Sequence, residues 1–448
     1  MRFARLTIGQ KPVYKSLGSG IDIYELFGAV QQAGGDCFLF ESLGEPGYAS
    51  RYSVLGFDPV GHIEARGHML TIDEQTFEVD NPYEALRGLM PPKTLSRHYA
   101  GGLVGYLGYD AANYFESSLQ VKTHPDFAQF AFDVYTDGVV LDTMTGELTY
   151  FYYNEDRSRQ VQRLAGMRPA KPEFSAMFLG DGLTRAQHRL AVEAVCEEIL
   201  AGNIFQCEVG FKSKYRITGN SLGIYGKLRA VNPSPFMYYV KSGKTTLLGA
   251  SPELVFSLED GQMETRPIAG SIRRGNDAAE DLELARTLLN DPKERAEHSM
   301  LVDLHRNDIG RVAQFGTVHV KELMQIKKFS HVQHIESVVR GEMKSGEDMF
   351  SGLAANFPMG TVTGAPKIES MKIIDEQEPE PRGPYAGGVG HFGFNGNCDF
   401  AVTLRSLFIS GEQAYAQTSG GIVYDSRADQ EYDEICNKLA AMKQVLAS

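Results

Sequence analysis

The sequence lacks several features that define whole classes of protein. It has no apolar run of about eighteen residues, the length that would indicate a membrane-spanning helix. Its first residues, Met1–Leu6, lack the apolar stretch of a secretory signal, so a cytoplasmic location is expected. Basic residues are also fewer than acidic residues. The chain has 44 Lys and Arg and 57 Asp and Glu, which gives a net charge of −13. We therefore expect neither membrane nor nucleic-acid binding, since both need a basic surface.

Cysteine is scarce as well. The five cysteines are widely spaced, with no C-x-x-C pair: Cys37, Cys196, Cys207, Cys398 and Cys436. This pattern indicates neither a disulfide framework nor a zinc ribbon, and it agrees with reduced thiols in the cytoplasm.

The distribution of short apolar runs and turn residues predicts the domain organisation. Residues 1–166 are mostly short β-branched or aromatic runs, typical of strands. Residues 167–182 contain two prolines and show no periodicity, so we expect a linker there. Residues 183–448 mix strands and helices without regular β-α-β alternation. The prediction is an α+β protein with largely antiparallel sheet.

Two helices have recognisable starts. Thr184 and Gln187 fit a capping box, and apolar positions then repeat at helical spacing through Ile199. Asp291 can cap a second helix, with Pro292 at its first position.

Pairs of glutamates are the strongest chemical signal. Glu294 and Glu297 share one helix face, and Glu431 and Glu434 share a face of the last helix, with Lys438 one turn beyond. Spacing alone favours two solvated helix faces. If the two faces converge, however, their carboxylates would repel unless a cation lay between them, and an all-oxygen ligand set suits Mg²⁺.

Glycine-rich backbone near isolated cations suggests an anionic ligand. The segment Gly360–Lys367 opens a helix, whose free amides can bind an anion, and Ser419–Gly421 is a second such loop. Arg405 falls in an apolar run, Phe400–Ile409, that is predicted to be a strand. A guanidinium buried there would need an anionic partner.

Several longer blocks resemble the chorismate-utilising enzymes, and within them the anthranilate synthase branch. The resemblance covers about residues 184 to 446 and is carried by Ile204–Gln206 (IFQ), Ser251–Glu253 (SPE), Arg266–Ser271 (RPIAGS), Ala296–Asp308 (AEHSMLVDLHRND), Phe357–Lys367 (FPMGTVTGAPK), Tyr385–Gly388 (YAGG) and Thr403–Ser406 (TLRS). The fold it implies is a two-lobed antiparallel β-sandwich flanked by helices.

The resemblance also implies roles for particular residues. Glu297 and Glu434 would bind Mg²⁺ directly, with Glu294 and Glu431 beside them. Catalytic roles fall to His334, Glu253, Gln206 and Thr361. Substrate would be held by Gly270, Ser271, Tyr385, Arg405, Ser419, Gly420, Gly421 and Lys438. The family usually has threonine where this chain has Ser271, a change that keeps the hydroxyl.

Two positions distinguish branches of the family. Relatives that add water to chorismate carry a basic lysine at the site of Gln206, and many aminodeoxychorismate synthases carry a nucleophilic lysine at the site of Ala269. Neither lysine is present, so the resemblance implies direct attack by ammonia and the products anthranilate and pyruvate, the first step of tryptophan biosynthesis. Some aminodeoxychorismate synthases also lack the lysine, so that branch stays open. A tryptophan sensor without catalysis is a more remote alternative.

Regulation and a partner are implied too. Glu41 and Ser42, together with Pro235, Phe236 and Met237, resemble the two elements of a pocket for the feedback inhibitor L-tryptophan. By themselves these residues could be ordinary core. None of the five cysteines has the G-x-C-x-G setting of a glutaminase nucleophile. We therefore expect a separate glutamine amidotransferase subunit, in a heterotetramer.

Overall fold

The computed structural model describes residues 6–43, 51–96, 98–329 and 332–447. The strands are β1 (Val13–Ser19), β2 (Cys37–Glu41), β3 (Tyr52–Phe57), β4 (Gly61–Arg66), β5 (Met69–Ile72), β6 (Gln75–Glu78), β7 (Gly102–Leu107), β8 (Phe130–Tyr135), β9 (Asp137–Asp142), β10 (Glu147–Tyr152), β11 (Phe174–Asp181) and β12 (Gln206–Gly219). They continue with β13 (Phe236–Ser242), β14 (Thr245–Ser251), β15 (Leu254–Glu259), β16 (Gln262–Thr265), β17 (Ile268–Arg273), β18 (His319–Lys328), β19 (Val332–Glu342), β20 (Gly364–Ala365), β21 (Gly388–Gly393), β22 (Cys398–Val402), β23 (Ser406–Ser410) and β24 (Gln413–Ile422).

Helices flank these strands. They are α1 (Ile23–Ala33), α2 (Pro82–Leu89), α3 (Ser158–Ala165), α4 (Arg185–Leu200), α5 (Leu222–Val231), α6 (Ala278–Asn290), α7 (Pro292–Gly310), α8 (Met349–Asn356), α9 (Lys367–Gln377) and α10 (Ala428–Leu446). Short 3₁₀ turns cover Tyr109–Tyr114 and Gly360–Val362. In the described ranges, no helix is both long and apolar enough to cross a membrane.

The strands form two large antiparallel sheets. The first sheet has the order β1-β10-β9-β3-β2-β13-β14-β23-β24-β12-β11, with β20 added to β12. The second has the order β17-β19-β16-β15-β22-β21-β7-β8-β4-β5-β6, with β18 added to β19. Two antiparallel sheets with separate helices confirm the predicted α+β class.

Side chains on the two faces of the first sheet pack into two different hydrophobic layers. Phe38 and Tyr238 belong to the core shared with the second sheet. Their neighbours Leu39 and Tyr239 belong to a layer built with α1, α5 and α10. Because successive strand residues point to opposite faces, an apolar strand can fill both layers at once.

The N-terminal and C-terminal parts of the chain share both sheets. Strand β2 pairs with β13 in the first sheet, and β7 pairs with β21 in the second. Strands from residues 1–166 are therefore built into the same two sheets as later strands, while a domain boundary at 166 stays a prediction.

The linker prediction for 167–182 is wrong over its second half. Residues Phe174–Asp181 form β11, an edge strand paired with β12. Phe174 and Ala176 are half-buried and alternate with exposed neighbours. Backbone pairing at the sheet edge orders this stretch although its sequence lacks a strong apolar pattern.

Both predicted helix starts are confirmed. Thr184 and Gln187 form the reciprocal capping box of α4. The Asp291 side chain accepts hydrogen bonds from the amides of Lys293 and Glu294, and Pro292 begins α7. The cap fixes where α7 starts, and thereby which face carries Glu294 and Glu297.

The predicted strand Phe400–Ile409 is interrupted. Strand β22 ends at Val402 in the second sheet, and β23 begins at Ser406 in the first. The chain crosses between sheets through Arg405, which has a φ of +50°, a left-handed conformation that is uncommon for a residue with a side chain. The guanidinium therefore projects from the crossover instead of from a strand.

Candidate active site

The predicted site residues converge where α7 and α10 meet the two sheets. Helix α7 packs against β17 and β19 of the second sheet, whereas α10 packs against β24 of the first. Strand β12 lies beside β24 and begins at Gln206. The arrangement brings side chains from four strands and two helices to one place.

His334 lies on β19 and is held on both ring nitrogens. Nδ1 lies 2.8 Å from the carbonyl oxygen of Gly270, and Nε2 lies 3.3 Å from a guanidinium nitrogen of Arg405. A carbonyl only accepts and a guanidinium only donates, so Nδ1 carries the hydrogen and Nε2 is the acceptor. Burial, followed by the charge of Arg405, lowers the pKa of His334 to about 4. The ring is therefore neutral near pH 7.

Arg405 is a half-buried cation without a carboxylate partner in the described part of the chain. Within the described ranges, no carboxylate oxygen lies within 4.0 Å of its guanidinium. Burial lowers the pKa of Arg405 to about 10, although the nearby Glu253 opposes this shift. A cation in such surroundings favours an anionic ligand.

Glu253 is a buried carboxyl group at the turn between β14 and β15. The Thr361 hydroxyl donates to its Oε1 over 2.8 Å. Burial raises the pKa of Glu253 to about 8, and the hydrogen bond from Thr361 only partly counteracts that rise. The side chain is consequently protonated at neutral pH and can donate a proton.

A chain of hydrogen bonds connects two predicted substrate-binding residues to a glutamate that the sequence interpretation missed. The Tyr385 and Ser419 hydroxyls are 2.9 Å apart, and Ser419 Oγ donates to Glu208 Oε2 over 2.6 Å. Lys438 donates to the Ser419 carbonyl oxygen over 3.0 Å and pairs with Glu434 at 2.8 Å. Burial raises the pKa of Glu208 to about 7, against the opposing charge of Lys438.

A sequence signal for Glu208 did exist. It stands two residues after Gln206 on β12, and alternate residues of a strand share a face. Gln206 itself donates from Nε2 to Glu297 Oε1 over 3.1 Å. Its Oε1 is buried and has no hydrogen-bond partner in the described part of the chain.

Glycines line the same region, where an added side chain would approach the glutamates. Gly270 has a φ of +68°, and an added Cβ there would lie 2.6 Å from Glu294 Oε2. At Gly420 an added Cβ would lie 3.3 Å from Glu431 Oε2. Gly421 extends β24 beyond the part that pairs with β23. Ser271 lies opposite His334 in the pairing of β17 with β19, and its side chain is exposed.

The four predicted metal-binding glutamates influence one another electrostatically. Burial raises the pKa of Glu297 and Glu294, and the charge of Glu434 adds to both shifts. Burial and the same Glu434 also raise the pKa of Glu431. The glutamates of α7 and α10 are therefore close enough to influence one another electrostatically.

The residues present fit Mg²⁺ in charge and donor type. The carboxylate oxygens are hard ligands, and their raised pKa values show that a cation would stabilise them. Over the ranges that the structure describes, no group of three His, Cys, Asp or Glu side chains is already gathered tightly enough to hold a metal. Two of the glutamates are carried by α7 and the other two by α10.

A separate cavity of about 70 Å³ lies between the two sheets. Its lining includes four predicted inhibitor-site residues, Glu41, Pro235, Phe236 and Met237. Ser42 follows Glu41 in the chain and is half-buried. The lining also includes four residues that the sequence interpretation did not find, Tyr99, Val389, His391 and Asp399, because they come from distant segments.

Glu41, which contributes to the lining of this cavity, is held by residues of α5 on the helix-covered face of the first sheet. It pairs with Arg229 at 3.0 Å and accepts a hydrogen bond of 2.8 Å from the Tyr225 hydroxyl. In the strand register Glu41 lies opposite Met237. The two predicted inhibitor elements are therefore adjacent in space although 196 positions separate these residues.

Comparison with known proteins agrees with this geometry. The profile of the chorismate binding enzyme family matches residues 35–444. The chain is 49% identical to anthranilate synthase component 1 of Leptospira biflexa over 99% of this chain and 97% of that protein. It is 41% identical to anthranilate synthase component 1 of Methanothermobacter thermautotrophicus, over 94% of this chain and 91% of that protein.

A solved structure extends the comparison to the fold. The crystal structure of anthranilate synthase component I from Streptococcus pneumoniae superposes with a TM-score of 0.79 at 32% identity, covering 88% of this chain and 92% of that one. The family profile, the near full-length relatives and the shared fold agree, and the chain belongs to the chorismate binding enzyme family.

Proposed function

We propose that the protein converts chorismate and ammonia into anthranilate and pyruvate with the help of Mg²⁺, which would make it a carbon–oxygen lyase at the first step of tryptophan biosynthesis. The observation that carries the proposal is a protonated acid close to a cation that has no carboxylate partner. Burial keeps Glu253 protonated, and no carboxylate among the described residues pairs with Arg405. Chorismate has carboxylates for the cation and a ring hydroxyl for the acid.

The first half-reaction exchanges the ring hydroxyl for an amino group. Glu253 protonates the hydroxyl as it leaves, so that water departs instead of hydroxide. Thr361 orients this acid through the hydrogen bond to Oε1. Gln206 is a neutral amide, which cannot deprotonate water, whereas ammonia is already nucleophilic and needs no deprotonation before it attacks. The nucleophile is therefore ammonia, attacking the ring carbon beside the carboxylate.

Binding of the substrate uses the walls of the site. Arg405, Tyr385 and the backbone amides of Gly420 and Gly421 would hold the enolpyruvyl carboxylate, while Gly270 and Ser271 line the ring. Glu297 and Glu434 would hold Mg²⁺, with Glu294 and Glu431 beside them, and the bound metal would neutralise the ring carboxylate. Lys438 keeps Glu434 in place through their 2.8 Å ion pair.

The second half-reaction eliminates pyruvate and makes the ring aromatic. A base must remove the proton at the carbon that carries the new amino group. Neutral His334 has an available lone pair on Nε2 once Arg405 turns to a substrate carboxylate. Its Nδ1–H bond to Gly270 fixes the tautomer that this role requires.

Regulation and nitrogen supply complete the proposal. L-tryptophan would occupy the cavity between the sheets, next to Glu41 and Met237. Ammonia would come from a glutamine amidotransferase subunit that forms a heterotetramer with this chain in the cytoplasm, because none of the five cysteines has a glutaminase setting.

The rival within the family is aminodeoxychorismate synthesis, in which the amino group enters at a different ring position. Incubation of the purified chain with chorismate, Mg²⁺ and ammonium, followed by mass and fluorescence analysis, separates the two. Anthranilate supports the proposal. An aminodeoxychorismate product would support the rival, and absence of turnover with intact tryptophan binding would favour a sensor.

A further inference from the structure

We propose that Glu208 is a further catalytic residue, which binds an N–H group of the attacking ammonia and accepts the proton that its nitrogen releases. This inference rests on the proposed function, because it assigns the proton path of the same amination step.

Glu208 and Gln206 reach the same small region of the site. They occupy alternate positions of β12 and therefore share a face of the strand. A Cβ added at Gly421 would lie 2.7 Å from Gln206 Nε2 and 2.8 Å from Glu208 Oε1. Both polar ends thus come within 2.8 Å of one point, and the glycine leaves them the space to do so.

The available hydrogen-bonding atoms match an ammonia molecule. Ammonia attacks through its lone pair, so its N–H groups must be bound by acceptors on the side away from the ring. Of the two polar ends above Gly421, Gln206 Nε2 is a donor that already binds Glu297, so the acceptor at this point is Glu208 Oε1. Glu208 binds Ser419 through Oε2, and its Oε1 faces the region above Gly421.

The proton balance of the amination requires such an acceptor. When the N–C bond forms and the C–O bond breaks, the hydroxyl leaves as water with the proton of Glu253. The nitrogen then carries a positive charge and releases one proton, which Glu208 accepts. Glu208 has gained a proton and Glu253 has lost one, and exchange with solvent restores both before the next turnover.

The groups that face Glu208 permit both protonation states near neutral pH. Burial raises its pKa to about 7. Lys438 on α10, the Ser419 hydroxyl on β24 and the Arg382 guanidinium favour the carboxylate, whereas Glu297 on α7 disfavours it.

The test measures anthranilate formation between pH 6 and 9 at saturating chorismate and Mg²⁺, with ammonium limiting and rates expressed per free NH₃. The wild type should show a rate that rises through about pH 7, because Glu208 must be ionised. Glu208→Gln should lower the rate at least tenfold and remove the rise. Ser419→Ala should move the rise to higher pH, because the carboxylate loses a donor that stabilises it.

The matched control is Asp110→Asn. Burial also raises the pKa of Asp110 to about 7, but its carboxylate accepts from the His124 amide, away from the site residues described above. This variant should keep the wild-type rate and profile, and thermal unfolding should show that each variant is folded.

The outcomes separate the two levels of the proposal. A wild type that makes no anthranilate overturns the proposed function and the inference together. A wild type that makes anthranilate without a rise near pH 7, or a Glu208→Gln variant that keeps both rate and rise, overturns only the role of Glu208. If Glu208→Gln does not fold, the role of Glu208 is tested by the pH–rate profiles of the wild type and of Ser419→Ala. A Ser419→Ala profile that does not move relative to the wild type contradicts the role of Glu208.

Discussion

Thr361 Oγ1 lies 2.8 Å from Glu253 Oε1, and the hydroxyl donates to the carboxyl group. The contact joins the 3₁₀ turn Gly360–Val362 to the loop between β14 and β15, and this turn and this loop are far apart in the sequence. The hydrogen bond orients the buried acid. It lowers the pKa of Glu253, but by less than burial raises that pKa.

Replacement of the acid should remove most of the activity. We expect Glu253→Gln to lower the rate of chorismate amination by about 10²–10⁴-fold, the usual contribution of a general acid. Thr361→Val removes a donor to the carboxylate, so the pKa of Glu253 should rise and the falling limb of the pH–rate profile should move to higher pH. Initial rates measured across the pH range check both changes. An unchanged rate in Glu253→Gln would exclude its role as the acid.

Loss of a proposed metal ligand should abolish turnover without unfolding the chain. Glu434→Ala should lower the rate at least about 100-fold, because metal-ion charge stabilisation is worth several kcal/mol. The adjacent Asp433→Ala is the control, since that exposed carboxylate pairs with Arg185 on the surface. Rates with added Mg²⁺, and after chelation and restoration of Mg²⁺, test the assignment. Normal turnover by Glu434→Ala would contradict it.

Tryptophan should bind the cavity between the sheets and inhibit. Met237→Thr or Ser42→Ala should weaken the inhibition while the uninhibited rate stays near that of the wild type. Met442→Thr is a matched control. Met442, like Met237, is buried in the hydrophobic layer built with α1, α5 and α10, but it does not line the cavity. Because linkage between two binding sites is reciprocal, chorismate should lower the affinity for tryptophan by the same factor by which tryptophan lowers the affinity for chorismate. Calorimetry measures both, and absence of tryptophan binding would refute the prediction.

The nitrogen source should depend on the partner. The purified chain should make anthranilate from ammonium salts, with a rate that increases with pH as more free ammonia forms, and it should not use glutamine. Addition of a glutamine amidotransferase subunit should confer glutamine-dependent synthesis. Product formation from glutamine by the single chain would overturn the expectation of a separate glutaminase.

The buried ion pair of Arg382 should be important for stability. Arg382 binds Glu378 at 2.8 Å and donates to the carbonyl oxygens of Val362 and Glu208. Arg382→Ala should lower the free energy of unfolding by about 3–5 kcal/mol, because it leaves Glu378 buried without its partner. Lys372→Ala breaks an exposed pair with Glu369 and should cost less than about 1 kcal/mol. Urea denaturation compares the two variants.

Local sequence signals predicted the features that depend on neighbouring residues. The capping residues Thr184 and Asp291 specify helix starts by hydrogen bonds within one turn, and both were found correctly.

Features set by distant pairing escaped prediction. The local sequence of β11 indicates a linker, because the order of this strand comes from pairing with β12. The apolar neighbours of Arg405 indicate a strand, because nothing in them reveals that the chain changes sheets there. Asp399 and His391 reach the inter-sheet cavity only after both sheets have assembled.

The placement of β21–β24 has a consequence for biosynthesis. These last strands lie inside the sheets, with β22 and β21 between β15 and β7, and β23 and β24 between β14 and β12. While the ribosome has yet to release residues 388–422, four interior strand edges on the nascent chain lack their partners. Such edges readily pair with other chains. We therefore expect nascent chains to need protection from aggregation until translation is nearly complete, and truncation after β20 to yield insoluble protein.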